Sequence, residues 1–505
     1  MILASLLGVI LALAAWAQPS LAGGFDAHMA AQVYGAALAF MEPRTLEPVP
    51  IPQLTVWGLG GLTALDPALR AEARDGAIRL ISPAKVFVFT PLPQGGDALA
   101  WGQVAANVAE TAREVSAPVR NAGTEDLIRS FFDELFNHLD PYSRYVGPEE
   151  AVEDIEARSG RAGLGVVLTE NRGAILVQQV LPDGPAAQAA IRPGSRILAI
   201  DGGPVQGKDP AAVAALLSGP VGTPVLITLR GENGRVRRMQ LIRALVPPET
   251  VFAQWVRRML VLRITGFNQR TDERLAREIT AGLSGRHRPD GLVLDLRGNP
   301  GGLLNQAADV SRLLLPSGVV ALTAGRDPAT NRVFRSPGPD IAPNLPVVVV
   351  VDGRTSSAAE IVAASLSDRG RAVVVGSSTL GKGLIQTVSR LPNGGELFVT
   401  WARILAPLGW PIQGLGVLPQ VCTSLGGRVL QAELAELSAG RAPMARALAR
   451  HDRARAPLPV AEALAIRNSC PAAEGSDADM DAASFLIDHP EAYVAGLLPP
   501  MPEGH

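Results

Sequence analysis

Five consecutive valines, Val347–Val351, constrain what this chain can fold into more than any other feature. A strand with one wet face alternates apolar and polar residues, so an unbroken β-branched run demands cover on both faces. The flanking sequence offers that cover. Between about 258 and 376, further strands are predicted at Leu260–Ile264, Leu292–Leu296 and Ala372–Val375, with helices at Thr271–Leu283, Leu304–Leu314 and Ser357–Ser367. Alternation of this kind gives an α/β domain, a sheet packed against helices. The whole chain has 505 residues, enough for several domains at roughly 100–200 residues each. With 47% hydrophobic and 19% charged residues it is not disordered as a class, and a net charge of −2 carries no nucleic-acid footprint.

The texture changes on either side. From about 159 to 245 short strands alternate with Gly/Pro turns: Leu164–Thr169, Ala174–Leu181, Ser195–Ile200, Val225–Arg230 and Arg235–Ile242, with short helices at Ala186–Ala190 and Pro210–Leu217. Residues 124–146 carry a helical stripe of Leu127, Ile128, Phe131, Phe132, Leu135 and Phe136, stopped at Asp140-Pro141. Residues 23–118 read as helices broken by Pro-rich connectors, and the segment after about 421 reads as an Ala-rich helical tail. At the start, the apolar run Ile2–Ala17 followed by Ser20-Leu21-Ala22 has the length and small-x-small ending of a cleavable export signal, though no Lys or Arg precedes it. In an exported protein Cys422 and Cys470 can form a disulfide that staples the tail; with no nearby His they have no zinc-site spacing.

Of 46 basic residues only three are lysines: Lys85, Lys208 and Lys382. Arg serves wherever a plain cation is needed, so a retained Lys points to chemistry that Arg cannot do, namely giving up its proton. Lys382 sits in Leu380-Gly381-Lys382-Gly383-Leu384-Ile385, where apolar neighbours keep water away and desolvation favours the neutral amine of a general base. A surface or phosphate lysine in a Gly turn is the competing reading, but no Walker pattern precedes it. Gln386, four residues on, projects to the same side of an extended strand and can orient the amine. Ser357 stands where the valine strand turns into a helix, a seat for a nucleophile; Ser357-Ala358-Ala359-Glu360 also fits a plain capping box. No histidine lies between 288 and 450, which disfavours a Ser-His-Asp triad and leaves lysine as the base. In LVLDLRGNPGGLL (292–304) Gly301 and Gly302 open a helix and leave N–H groups bare; with the Ala358 N–H they can form an oxyanion hole, although a simple strand-to-helix turn reads the same way. Gly163-Leu164-Gly165-Val166 can offer backbone N–H groups to a peptide carboxylate while the strand edge pairs with the peptide.

Taken together these runs resemble the carboxy-terminal processing peptidases (tail-specific proteases), serine peptidases with an inserted PDZ domain. The likeness spans about Leu127 to Val421: Gly163–Gly202 is similar to the PDZ domain, LDLRGNPGG to the strand-turn motif, and Thr379–Gln386 to the lysine motif with Leu380 replacing Phe. Leu139-Asp140-Pro141-Tyr142-Ser143-Arg144-Tyr145 resembles the motif before the PDZ domain, with Tyr142 replacing His. The serine motif departs from Ser-Ala-Ser-Ala-Ser-Glu, reading Thr355-Ser356-Ser357-Ala358-Ala359-Glu360, and the family's spacing to Glu and Lys selects Ser357 over Ser356. The resemblance implies an α/β multidomain fold: a crotonase/ClpP-like α/β peptidase core with an inserted PDZ domain and an N-terminal helical region. The boundaries it suggests are a signal peptide 1–22, an N-terminal mostly helical region 23–118, a helical cap segment 119–158, the PDZ domain 159–245, the serine peptidase core 246–421 and a helical tail 422–505. It implies a Ser357–Lys382 dyad assisted by Gln386, oxyanion donors at Ala358 and at Gly301 or Gly302, an accessory and mainly structural Asp368, and no cofactor or metal. The expected protein is a periplasmic endopeptidase, membrane-associated if the signal is retained, that takes protein substrates by exposed C-termini. Dimerisation through the N-terminal helices is a further expectation. The rival readings are an inactive PDZ-containing adaptor, and other acyl chemistry on a crotonase-like sheet, for which no nucleotide or CoA site is visible.

Overall fold

The computed structural model describes residues 24–499, so the export-signal segment lies outside the described residues. Among the described residues no helix is long and apolar enough to cross a membrane. The chain divides into two compact units. One holds residues through Pro43, then Pro48–Gly147 and Val388–Phe398; the other holds Arg44–Glu47, Pro148–Thr387 and the chain from Val399 on.

In the first unit the helices Ala27–Met41 and Ala98–Val115 touch at glycines: a Cβ on Gly102 would stand 2.5 Å from Gly35 N and 2.6 Å from Ala31 O. The helix Thr124–Asn137 buries the predicted stripe, with Phe131 4.2 Å from Tyr34 and Phe132 5.1 Å from Tyr145 between ring centres. The region before it, expected to be mostly helical, also holds a small sheet. Arg70–Arg74, Ala77–Ile81 and Val86–Phe89 form a three-stranded antiparallel sheet. Its cause was present locally: Asp75 and Gly76, both at positive φ (53° and 71°), make a tight hairpin turn between β-prone segments.

In the second unit the main sheet runs in the order Val251–Val256, Met259–Ile264, Gly291–Asp295, Val347–Val351, Val373–Gly376, Val421–Cys422. The first pair is antiparallel and the rest are parallel. Strand order thus follows chain order, and the helices Thr271–Ser284, Leu304–Leu314 and Ala358–Asp368 all pack on one face. There Val347, Val349 and Val351 meet Leu275, Ile279, Val310 and Ile361. On the opposite face Val348 and Val350 meet Leu430, Leu434, Leu486 and Tyr493 of the tail helices Gly427–Ser438, Asp477–Asp488 and Pro490–Gly496. The tail therefore supplies the second cover that five valines require, and Cys422 is disulfide-bonded to Cys470.

The small domain is an antiparallel sheet, Val236–Ile242, Pro224–Arg230, Arg196–Ile200, Ala174–Val180 and Val166–Asn171 in order, with Gly203–Pro204 paired to Arg196–Ile200. Ile175, Val177, Val213, Leu217 and Ile227 fill its core. Arg161–Gly163 and Ala244–Val246 pair where the chain enters and leaves.

Candidate active site

The valine strand ends at a buried carboxylate that shapes the following loop. Asp352 Oδ1 accepts from the N–H groups of Gly298 (2.9 Å), Arg354 (3.0 Å) and Thr355 (2.9 Å), while Thr355 Oγ1 donates to Leu296 O at 2.9 Å. The neighbouring serines have different fates. Ser356 is buried, its hydroxyl donating to Pro300 O at 2.9 Å. Ser357 is half-exposed and sits at φ 55°, ψ −117°, a conformation that strains a residue with a Cβ by about 1–3 kcal/mol and persists only where its surroundings impose it.

Glu360 imposes it. Its buried carboxylate accepts four hydrogen bonds: Ser357 N–H (2.8 Å) and Lys382 N–H (2.9 Å) on Oε2, Gly381 N–H (2.7 Å) and Thr379 Oγ1 (2.5 Å) on Oε1. One oxygen thus touches both backbone nitrogens, making Ser357 and Lys382 neighbours in space although 25 residues apart in sequence. Burial pushes the Glu360 carboxyl above its ordinary value, and the hydrogen bonds from Thr379, Gly381, Ser357 and Lys382 pull the other way. From sequence Glu360 is a cap and a spacing mark for Ser357; its reach to the lysine loop depends on tertiary contact. The glycines flanking Lys382 allow that contact, since a Cβ on Gly383 would lie 2.1 Å from Gln413 N and one on Gly381 3.2 Å from Gly416 N. Gln386 is half-buried on the strand Leu384–Arg390, its Nε2 donating to Leu384 O (3.0 Å) and Thr400 Oγ1 (3.1 Å).

The glycine turn docks beside the serine. Ser356 N–H donates to Asn299 O at 3.0 Å, and a Cβ on Gly301 (φ 98°) would fall 2.8 Å from Ser357 Cβ and 3.0 Å from Ala358 N. Only glycine fits there. Gly301 N–H is already given to Asn299 Oδ1 at 2.8 Å. Among the described residues no acceptor takes the N–H of Gly302 or of Ala358. Asn299, whose Nδ2 donates to Ile264 O at 2.7 Å, fixes this turn and was not singled out from sequence. Asp368 is buried at the far end of the serine helix, accepting from Leu408 N–H (3.1 Å) and Trp410 Nε1 (3.0 Å). Desolvation, then the nearby Asp452 charge, raises its carboxyl well above the usual range.

In the small domain, Val166–Asn171 is the outermost strand of its sheet. The turn before it is fixed by Ala186 N–H to Leu164 O (2.9 Å) and Leu181 N–H to Gly165 O (2.8 Å), while Gly163 pairs with Ala244. The Arg277 guanidinium on the core helix Thr271–Ser284 joins both oxygens of Asp183 in the small domain, at 3.0 and 2.9 Å. A cavity of about 1030 Å³ lined by Trp255, Arg258, Arg286 and Arg288 shares no residue with the serine–lysine site.

Comparison with known proteins defines the class. Residues 258–423 match the family model described as peptidase family S41, and 176–231 match a PDZ domain. A carboxy-terminal-processing protease of Bartonella bacilliformis is 32% identical over 59% of this chain and 69% of its own length. The carboxyl-terminal-processing protease of a Synechocystis species is 31% identical over 60% of this chain and 72% of its own. A photosystem II D1 C-terminal processing protease structure aligns at 28% identity and a TM-score of 0.36, covering 72% of this chain and 92% of that one. The chain belongs to the carboxy-terminal processing proteases of peptidase family S41.

Proposed function

We propose that this chain is a serine endopeptidase working through a Ser357–Lys382 dyad on exported proteins, whose unstructured C-termini its PDZ domain recruits. The observation that carries the reading is the single Glu360 oxygen accepting from the backbone of both residues while Ser357 is held half-exposed at positive φ. In the first step neutral Lys382 Nζ takes the Ser357 hydroxyl proton as Oγ attacks a peptide carbonyl carbon. The oxyanion is met by the Ala358 and Gly302 N–H groups, which no acceptor among the described residues occupies; Gly301, committed to Asn299, braces the turn instead. The protonated lysine then gives its proton to the leaving amine, and water attacks the acyl-enzyme with Lys382 again as base. Gln386 lines the lysine strand. The Gly163-Leu164-Gly165-Val166 turn offers N–H groups to the terminal carboxylate, and the edge strand that follows pairs with the incoming peptide.

The test compares Ser357→Ala, Lys382→Ala, Lys382→Arg and Ser356→Ala on an unfolded substrate with an apolar C-terminus. The first three are expected to lower kcat by about 10⁴-fold or more, because Arg cannot serve as the base, while Ser356→Ala retains turnover. Activity surviving Ser357→Ala or Lys382→Ala removes the dyad. A wild-type chain that binds such peptides yet neither cleaves them nor reacts with a fluorophosphonate is an adaptor.

A further inference from the structure

The family match ends at residue 423, and the segment 470–479 lies beyond it. That segment grips the active-site loops twice. On the serine side, Ala473 O accepts Gly353 N–H at 2.7 Å, Gly475 N–H donates to Asp352 Oδ2 at 3.4 Å, and Ser377 Oγ donates to Ala473 O at 3.0 Å. On the glycine-turn side, Arg297 Nη1 donates to Ser476 O (2.8 Å) and Asp479 Oδ2 (3.2 Å), while its Nε and Nη2 hold Asp295 at 2.9 Å each. The Arg297 side chain is 18% exposed and those of Asp295 and Asp479 are 4% and 3%. Removing Asp479 leaves Arg297 paired with Asp295 alone and takes away the carboxylate through which its guanidinium reaches the tail. The segment is anchored at both ends: Cys470 is bonded to Cys422 on the last sheet strand, and Asp479 Oδ1 accepts from Thr423 Oγ1 at 2.6 Å.

We propose that residues 470–479 are a brace cross-tying the loop that carries Ser357 to the turn that carries the oxyanion donors, with Asp479 a positioning residue acting through Arg297. The oxyanion turn holds Gly298, Gly301 and Gly302 and the serine loop holds Gly353, each with backbone freedom to lose. An outside clamp on Arg297 and Asp352 fixes the distance between nucleophile and oxyanion donors, where a misplacement of about 1 Å can lower the rate some 10²-fold. The catalytic consequence rests on the serine peptidase reading; the bracing itself does not.

The test uses the full chain with Asp479→Ala, Asp479→Glu and Gly475→Val. In the last, the added Cβ would lie 2.4 Å from Arg297 Cδ and 3.3 Å from Asp479 Oδ2, pushing the guanidinium aside while the Asp479 carboxylate that caps the helix stays in the chain. In Asp479→Ala and Gly475→Val the amides of Gly298, Thr355 and Ser356 are expected to exchange hydrogen about tenfold faster or more, with small-domain amides unchanged. In both, kcat falls about 10–100-fold with KM within about twofold, and Asp479→Glu recovers part of the loss. A tail that merely stabilises would lower the melting temperature and leave loop exchange and kcat of the folded protein at wild-type values; that result overturns the brace. Should Ser357→Ala keep turnover, the peptidase reading falls, and loop exchange alone still decides the brace.

Discussion

Replacing Glu360 by Gln changes the shape of the side chain hardly at all and its hydrogen bonding completely. The carboxylate serves four donors; the amide offers one acceptor oxygen and two N–H donors. In the better orientation its oxygen keeps Ser357 and Lys382, and its NH2 faces the Thr379 hydroxyl, which can accept, and the Gly381 N–H, which cannot. The Gly381 N–H and the Thr379 O–H then both lose their acceptor, and only the hydroxyl can rotate to find another, so the cost is about 1–3 kcal/mol for the stranded N–H; the flipped orientation strands the two N–H groups of Ser357 and Lys382. Burial has already raised the Glu360 carboxyl, so neutralising it returns some desolvation energy, and the net loss of stability falls at the lower end of that range. The catalytic loss is larger, because the Gly381 repulsion displaces the residue next to Lys382, and a misplacement of about 1 Å can lower the rate some 10²-fold. Steady-state turnover should show kcat down about 10–100-fold and KM within about threefold, with fluorophosphonate labelling of Ser357 slowed in parallel. A folded Glu360→Gln protein with wild-type kcat would refute the idea that this carboxylate holds nucleophile and base together.

Gly301→Ala places a Cβ 2.8 Å from Ser357 Cβ at φ 98°, so it should cost about 1–3 kcal/mol in overpacking and abolish most turnover while the sheet stays folded; near-normal kcat would contradict the close approach. Asp368 holds its proton in the folded state at pH values where the unfolded chain has released it. Raising the pH above about 4 therefore favours unfolding until the raised folded value is passed. Asp368→Asn should flatten the fall in melting temperature across that window, and an unchanged slope would assign the dependence elsewhere. The Cys422–Cys470 bond closes a 48-residue separation, so the double Ser variant should lose about 2–4 kcal/mol in chemical denaturation; equal stability of the two proteins would argue against the bond.

What could be read from the sequence was whatever local period decides. Val347–Val351 and Leu304–Leu314 fall where the patterning put them, and the serine helix begins one residue later than expected, at Ala358. Missed elements had weak local signals. Val251–Val256 is a sheet edge with Phe252 and Trp255 exposed, so no alternation marks it. The hairpin at Asp75-Gly76 joins two short strands set among stronger helical patterns, so its local signal is weak. At the site, residue types announced Ser357, Lys382 and the glycine turn. The residues that arrange them, Glu360, Asp352, Asn299 and Asp479, act across long sequence separations that no spacing rule encodes.

The one-directional order of the main sheet has a consequence for biogenesis. Because each parallel strand is laid beside its predecessor and every crossover helix falls on the same side, a nascent chain can lay down all its strands while half of its valine wall still faces solvent. The missing cladding, Gly427–Ser438, Asp477–Asp488 and Pro490–Gly496, follows the last strand of the sheet along the chain. Synthesis order thus leaves the second face of the sheet open until those helices have been made.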